Sequence, residues 1–206
     1  MFPERIETKR LVLERMCLEN VDIFEYYRLC SHREAIEEET EYLSWEPHAT
    51  PKETFDFVTD SEEAWEAGEI AGYVIRPKES EDGAGEFAGN TGLKVDWERR
   101  TGNLGIWLRK RFWGRDYSSE RATALMELAF DRLDLELVAV THEAGNEQSR
   151  RAIEKYVEAH GGQHDALIRN AGTRPDGTTF DSHRYTISRE QWKTDRKSTN
   201  SEGDES

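Results

Sequence analysis

Apolar residues fall into short runs divided by charged turns, and their spacing shifts between a period of about two and one of about 3.6. Over 10–15, Leu11 and Leu13 alternate with charged or smaller neighbours, which predicts a strand. Asn20 reads as the N-cap of a helix that gathers Val21, Ile23, Phe24, Tyr27 and Leu29 on one face. Segment 41–48 is aromatic and interrupted by proline, so it predicts a loop. Thr50-Pro51-Lys52-Glu53 combines an N-cap, a proline at the first helical position and a glutamate at the third. The helix it opens should run to about Glu66 and stop near Gly68. Strand patterns follow at 71–76, 86–97 and 101–109, joined by the loop 79–85 and the charged turn 98–100. Short connections of this kind predict an antiparallel meander. A helix from about Tyr117 then carries Ala122, Leu125, Met126, Ala129, Phe130 and Leu133. After it come a strand at 135–141, a helix at 146–159 ended by Gly161-Gly162, and strands at 167–170 and 184–188 that turn at Pro175-Asp176-Gly177. From 193 to 206 the chain is polar without periodicity and is expected to be a disordered tail. The pattern is α/β: one domain over 1–192, with a mixed, mostly antiparallel central sheet flanked by helices, no repeat and no long linker.

Composition narrows the partners. A chain of 206 residues suits one domain, and its net charge of −15, from 43 acidic and 28 basic residues, disfavours nucleic acid and anionic membranes. Eight of those 28 are lysine and twenty are arginine. Acid-rich, lysine-poor surfaces suit a high-salt cytoplasm, where ions screen self-repulsion. Cys17 and Cys30 form no ligand cluster and read as reduced thiols, and the histidines lack ligand spacing, so no metal is expected. With no apolar run of about 18 residues and no signal-like start, a soluble cytoplasmic protein is expected.

The stretch 107–120 joins a strand to an amphipathic helix. Four basic residues, Arg109, Lys110, Arg111 and Arg115, fall within seven positions of an acidic chain. The first turn of a helix has unpaired amides and the positive dipole end, and Gly114 just before it lets an anion approach the main chain. That pattern predicts an anion site; a solvated basic turn is the other reading. Neither Gly-x-x-x-x-Gly-Lys-Ser/Thr nor Gly-x-Gly-x-x-Gly is present, which disfavours the P-loop and dinucleotide folds. Asn146-Glu147-Gln148-Ser149 opens the next helix, where Asn146 and Ser149 either cap it or face a ligand held by the first loop.

Taken in order, Phe112-Trp113-Gly114-Arg115-x-Tyr117-Ser118-x-Glu120, helix, strand, Asn146-x-x-Ser149 and Glu154-Lys155 resemble the GCN5-related N-acetyltransferases (GNAT). The chain is most similar to their RimJ/RimL branch, which acetylates protein N-terminal amines and small amines. Thr8-x-Arg10-Leu11-x-Leu13-x-Arg15 and Tyr42-Leu43-x-Trp45-x-Pro47 look like that branch too, so the resemblance spans 5–190. It implies a single GNAT-like domain that moves an acetyl group from acetyl-CoA to a primary amine, a protein N-terminus or a small molecule, by direct attack and without a metal. It places Leu108 and Arg109 along the pantetheine arm. The backbone of Arg111, Phe112, Trp113, Gly114, Arg115, Asp116, Tyr117, Ser118 and Ser119 would hold the pantetheine and pyrophosphate. Asn146 would contact the cofactor arm, Ser149 would protonate the departing thiolate, and the acceptor would enter between 41–48 and the strand ends.

Two departures stand out. Asp116 replaces the second glycine of the loop, and Ser118 its last small residue; a carboxylate there repels a diphosphate unless it turns away or caps the helix. Ile153 stands where many relatives have a tyrosine, and Tyr156 lies about a turn further on, leaving Ser149 as the preferred acid. Asn103 occupies the region of the family's glutamate base. Asp96, Glu98, Glu143, Glu39 and Glu41 are substitutes, none assigned, and His142 is either a relay or a strand-end histidine. The alternatives are a degenerate GNAT fold that binds acyl-CoA, or nothing, without catalysis, and a nucleotide- or phosphate-binding protein.

Overall fold

The computed structural model describes residues 1–202 apart from 32 and 175, with backbone alone for 197–202. Eight strands form one sheet: β1 (Arg5–Glu7), β2 (Leu11–Arg15), β3 (Ile70–Pro77), β4 (Gly89–Asp96), β5 (Thr101–Leu108), β6 (Leu137–Glu143), β7 (Gln163–Thr173) and β8 (Thr179–Ser188), in the order β1-β2-β3-β4-β5-β6-β8-β7. The β5–β6 pair is parallel and the other pairs are antiparallel. The helices are α1 (Ile23–Cys30), α2 (Ile36–Thr40), α3 (Pro51–Glu66), α4 (Tyr117–Glu127), α5 (Glu147–Ala159) and α6 (Arg189–Glu202). A parallel pair needs a crossover, and α4 supplies it.

Each face of the sheet has its own core. Leu11, Leu13, Tyr73, Leu93, Leu104, Val138 and Val140 pack against α4 and α5 through Leu125, Ile153 and Val157. On the opposite face Met16, Val74, Phe87 and Trp107 pack against Tyr26 of α1 and Val58 of α3. Gly89 opens β4 because a Cβ there would lie 2.1 Å from the carbonyl oxygen of Trp107.

Several sequence expectations need correction. The cap of α1 is Asp22, not Asn20: its carboxylate accepts from the amides of Phe24 and Glu25, whereas the Asn20 side chain donates to the Arg15 carbonyl. The buried face of α1 carries Tyr26 and Cys30, and Phe24 is 64% exposed. The short α2 (IEEET) and β1 gave no periodic signal. β7 is solvent-exposed along nearly its whole length, so its apolar alternation is weak, and the strand extends beyond the expected 167–170 at both ends. The polar segment after 192 continues as α6, tied down by buried Trp192, whose Nε1 donates to Asp131 at 3.3 Å, and by His160 on Asp195 at 3.0 Å. Residues 203–206, and Pro175 of the expected turn, lie outside the described residues. No helix among the described residues is long and apolar enough to cross a membrane.

Candidate functional site

The parallel strands part company at their carboxyl ends. β5 and β6 pair only from Thr101–Leu137 to Leu104–Val140; beyond that, β5 stays with β4 while Thr141, His142 and Glu143 pair with β8. A gap opens between Gly105–Leu108 and the end of β6. The Arg109 amide donates to the Ala88 carbonyl at 2.9 Å, which sets the hydrogen-bonding parity of the β4–β5 ladder. By that alternation the main chain of Ile106 and Leu108 turns toward the gap. Of the expected pair, Leu108 faces the gap, and Arg109 is engaged elsewhere.

Above α4 the loop takes its shape from two left-handed residues, Gly114 at φ 73° and Asp116 at φ 63°. A Cβ on Gly114 would meet nothing within 4 Å, so the space over the loop is open. Among the described residues, none of the amides of 114–119 has a protein acceptor; the first helical amide bonded back is that of Glu120, to the Asp116 carbonyl. A row of unpaired donors at a helix start is an anion cradle. Aspartate tolerates the left-handed conformation better than most side chains. Its carboxylate makes no cap bond: it accepts from the Ser119 hydroxyl at 2.7 Å and pairs with Lys155 of α5 at 2.8 Å. Burial works to raise the Asp116 pKa, but Lys155 and Ser119 outweigh it and hold it below the ordinary value.

Every cation of the basic cluster has an acidic partner. Arg109 pairs with Glu86 at 3.3 Å, Lys110 with Glu38 at 2.5 Å, Arg111 with Glu86 at 2.9 Å, and Arg115 with Asp82 at 2.8 Å. These acids come from α2 and the loop before β4, so the charge inversion read from the sequence is cancelled in three dimensions. The amides remain the donors open to an anion.

Glu120 anchors the first turn of α4. It accepts from Thr8 Oγ1 at 2.5 Å, the Arg10 amide at 2.6 Å and Arg10 Nε at 2.7 Å. Burial tends to raise its pKa, but these bonds prevail and lower it. A depressed carboxylate pKa gives stability that is present above the ordinary value near 4.5 and is lost as pH falls through the folded value. Glu120→Gln should therefore destabilise the chain at pH 7 by about 1–3 kcal/mol. Urea unfolding of both proteins should show the difference shrinking as pH falls through the lowered value of the folded Glu120 carboxyl.

Asn146 caps α5, its Oδ1 accepting from the Ser149 amide at 2.9 Å. The Ser149 hydroxyl has no hydrogen-bond partner among the described residues. The α5 start overhangs that of α4, since Lys155, two turns along α5, reaches Asp116 at the α4 start. The substitute bases sort by position. Asp96 and Glu98 lie at the far end of β5 from the loop. Buried Glu39 holds Arg33 and the Lys110 amide, the latter at 2.6 Å, which ties α2 to the loop. Glu143 is buried at the end of β6 and paired with Arg174. His142 turns to the α5 side, Nδ1 donating to the Glu143 carbonyl at 2.9 Å; burial, then His183, pushes its pKa down. On the opposite face the 41–48 segment sets Trp45 edge-on to Trp107 at 5.5 Å. Among the described residues no group of His, Cys, Asp or Glu is placed to hold a metal.

The Acetyltransferase (GNAT) domain family matches residues 10–156. The uncharacterized N-acetyltransferase p20 of Bacillus licheniformis is 25% identical over 146 residues, 71% of this chain and 77% of that protein. The fold is shared with the microcin C7 self-immunity acetyltransferase MccE, solved with acetyl-CoA and AMP (TM-score 0.77, 16% identity, 91% of this chain and 97% of that one). It is shared also with RimL, a ribosomal L7/L12 alpha-N-protein acetyltransferase (TM-score 0.74, 18% identity, 90% and 94%).

Proposed function

We propose, for a chain that belongs to the GNAT acetyltransferase family and is an acetyl-CoA-dependent N-acetyltransferase, direct transfer of the acetyl group to a primary amine of a protein N-terminus or a small molecule. The observation that carries this reading is the row of unpaired amides at 114–119 above a left-handed Gly114 and Asp116. Those amides suit the diphosphate of the donor; Arg111, Phe112 and Trp113 border them, but the Phe112 and Trp113 amides are spent on the carbonyls of Arg109 and Lys110, so the cradle begins at Gly114. Leu108 and Asn146 flank the path of the pantetheine arm on either side of the β5–β6 gap. Acetyl-CoA supplies the activated thioester. The protein's contribution is to hold donor and amine in line, worth a large share of the barrier through orientation alone. As the N–C bond forms and the C–S bond breaks, Ser149 gives its proton to the departing thiolate and regains one from solvent, which takes up the proton shed by the amine; Arg115, Tyr117, Ser118 and Ser119 complete the cradle.

A bare carboxylate at Asp116 would favour a relative without catalysis, but its ion pair with Lys155 leaves little net charge to oppose the diphosphate. Calorimetry with acetyl-CoA, CoA and ATP, followed by an amine screen scored by thiol release, tests the reading. Binding of CoA and acetyl-CoA but not ATP, with amine-dependent thiol release, is expected. Tight CoA binding without release for any amine would favour the binding module.

A further inference from the structure

Lys155 and the loop cations all have acidic partners. Arg121 differs. It lies on α4 four residues past Tyr117, is 1% exposed, and has no hydrogen-bond partner for Nε or Nη1. Among the described residues no carboxylate pairs with it. Its guanidinium carbon stands 5.8 Å from the ring centroid of Tyr156 on α5, and the two side chains interact electrostatically, but the neutral phenol supplies no counter-charge and neither Arg121 Nε nor Nη1 has a well-formed hydrogen bond. Burial lowers its pKa from the usual arginine value, yet arginine stays charged at neutral pH. The contacts around it fix its depth: Asp116–Lys155 on the loop side and Thr123–His160, at 3.0 Å, on the other. Helix rise places its Cα about 6 Å along the axis below Tyr117.

A buried charge with no opposite charge beside it is strongly unfavourable, so a fold that keeps one needs a counter-charge from elsewhere. The start of α4, where free amides already converge, is one turn away. We propose that Arg121 is a positioning residue whose counter-charge is the diphosphate of the acyl donor, acting through the field it adds to the amides of 114–119. This rests on the acetyltransferase reading above. Exposed cations are screened within about 8 Å at physiological ionic strength, whereas a buried one is screened far less. In a chain of net charge −15, Arg121 therefore supplies an attraction for anions that salt does not erase.

Calorimetry on the full chain, with CoA and with pantetheine, which lacks the diphosphate, tests this. R121M should weaken CoA binding about fivefold or more, leave pantetheine binding unchanged, and melt no lower than wild type without ligand. R121K, which keeps the charge, should retain most of the CoA affinity, and R121Q replaces R121M if that variant does not fold. Equal CoA affinity in wild type and the uncharged variant overturns the proposal, as does an equal loss for CoA and pantetheine, which marks a packing role. A wild-type chain that binds no CoA overturns the acetyltransferase reading itself, and this inference with it.

Discussion

Ser149→Ala should lower kcat about a hundredfold or more while leaving KM for acetyl-CoA within about twofold. Proton donation acts on the departing thiolate and contributes little to the bound ground state, so the loss belongs in turnover and not in binding. The geometry suits the role: Ser149 sits in the first turn of α5, and its amide is already held by Asn146, so its hydroxyl has no structural duty among the described residues. The cap survives the substitution, since Asn146 accepts from the main chain, and the melting temperature should not move. Thiol release at saturating amine measures the effect. An unchanged kcat would leave Ser149 as an ordinary residue of the first turn and pass the proton to solvent.

Lys155→Met should weaken CoA binding about tenfold. The pair with Asp116 is half exposed, 62% and 45%, so its worth to folding is small. Its worth to binding is larger, because the variant strips a cation from the cradle and leaves a bare carboxylate among donors meant for a diphosphate. Asp116→Gly should bind CoA at least as tightly as wild type, since it frees Lys155 and relieves a left-handed non-glycine residue. The double variant isolates the coupling: with no carboxylate to repel, it should recover most of the affinity that Lys155→Met loses. If the two changes simply add, Lys155 does not screen the Asp116 carboxylate from the diphosphate.

What could be read from the sequence was local in the chain. The Trp113-Gly114 loop, the helix at Tyr117 and the Asn146 cap are each written in adjacent residues, and the meander in short turns between strands. The parting of β5 from β6 was not legible, because it depends on where two distant strands stop pairing. The pairing of Asp116 with Lys155, 39 positions apart, was out of reach for the same reason. So was the cancellation of the basic cluster by Asp82, Glu86 and Glu38. Arg121 gave a weak signal: an arginine between Glu120 and Ala122 looks like any helix surface residue until α5 covers it.

The cradle itself is open to direct observation by amide NMR during titration with CoA. The account predicts that the resonances of residues 114–119 move together and saturate with the coenzyme, ahead of those in β7 or α6. Saturating CoA that leaves those amides where they stood would contradict it.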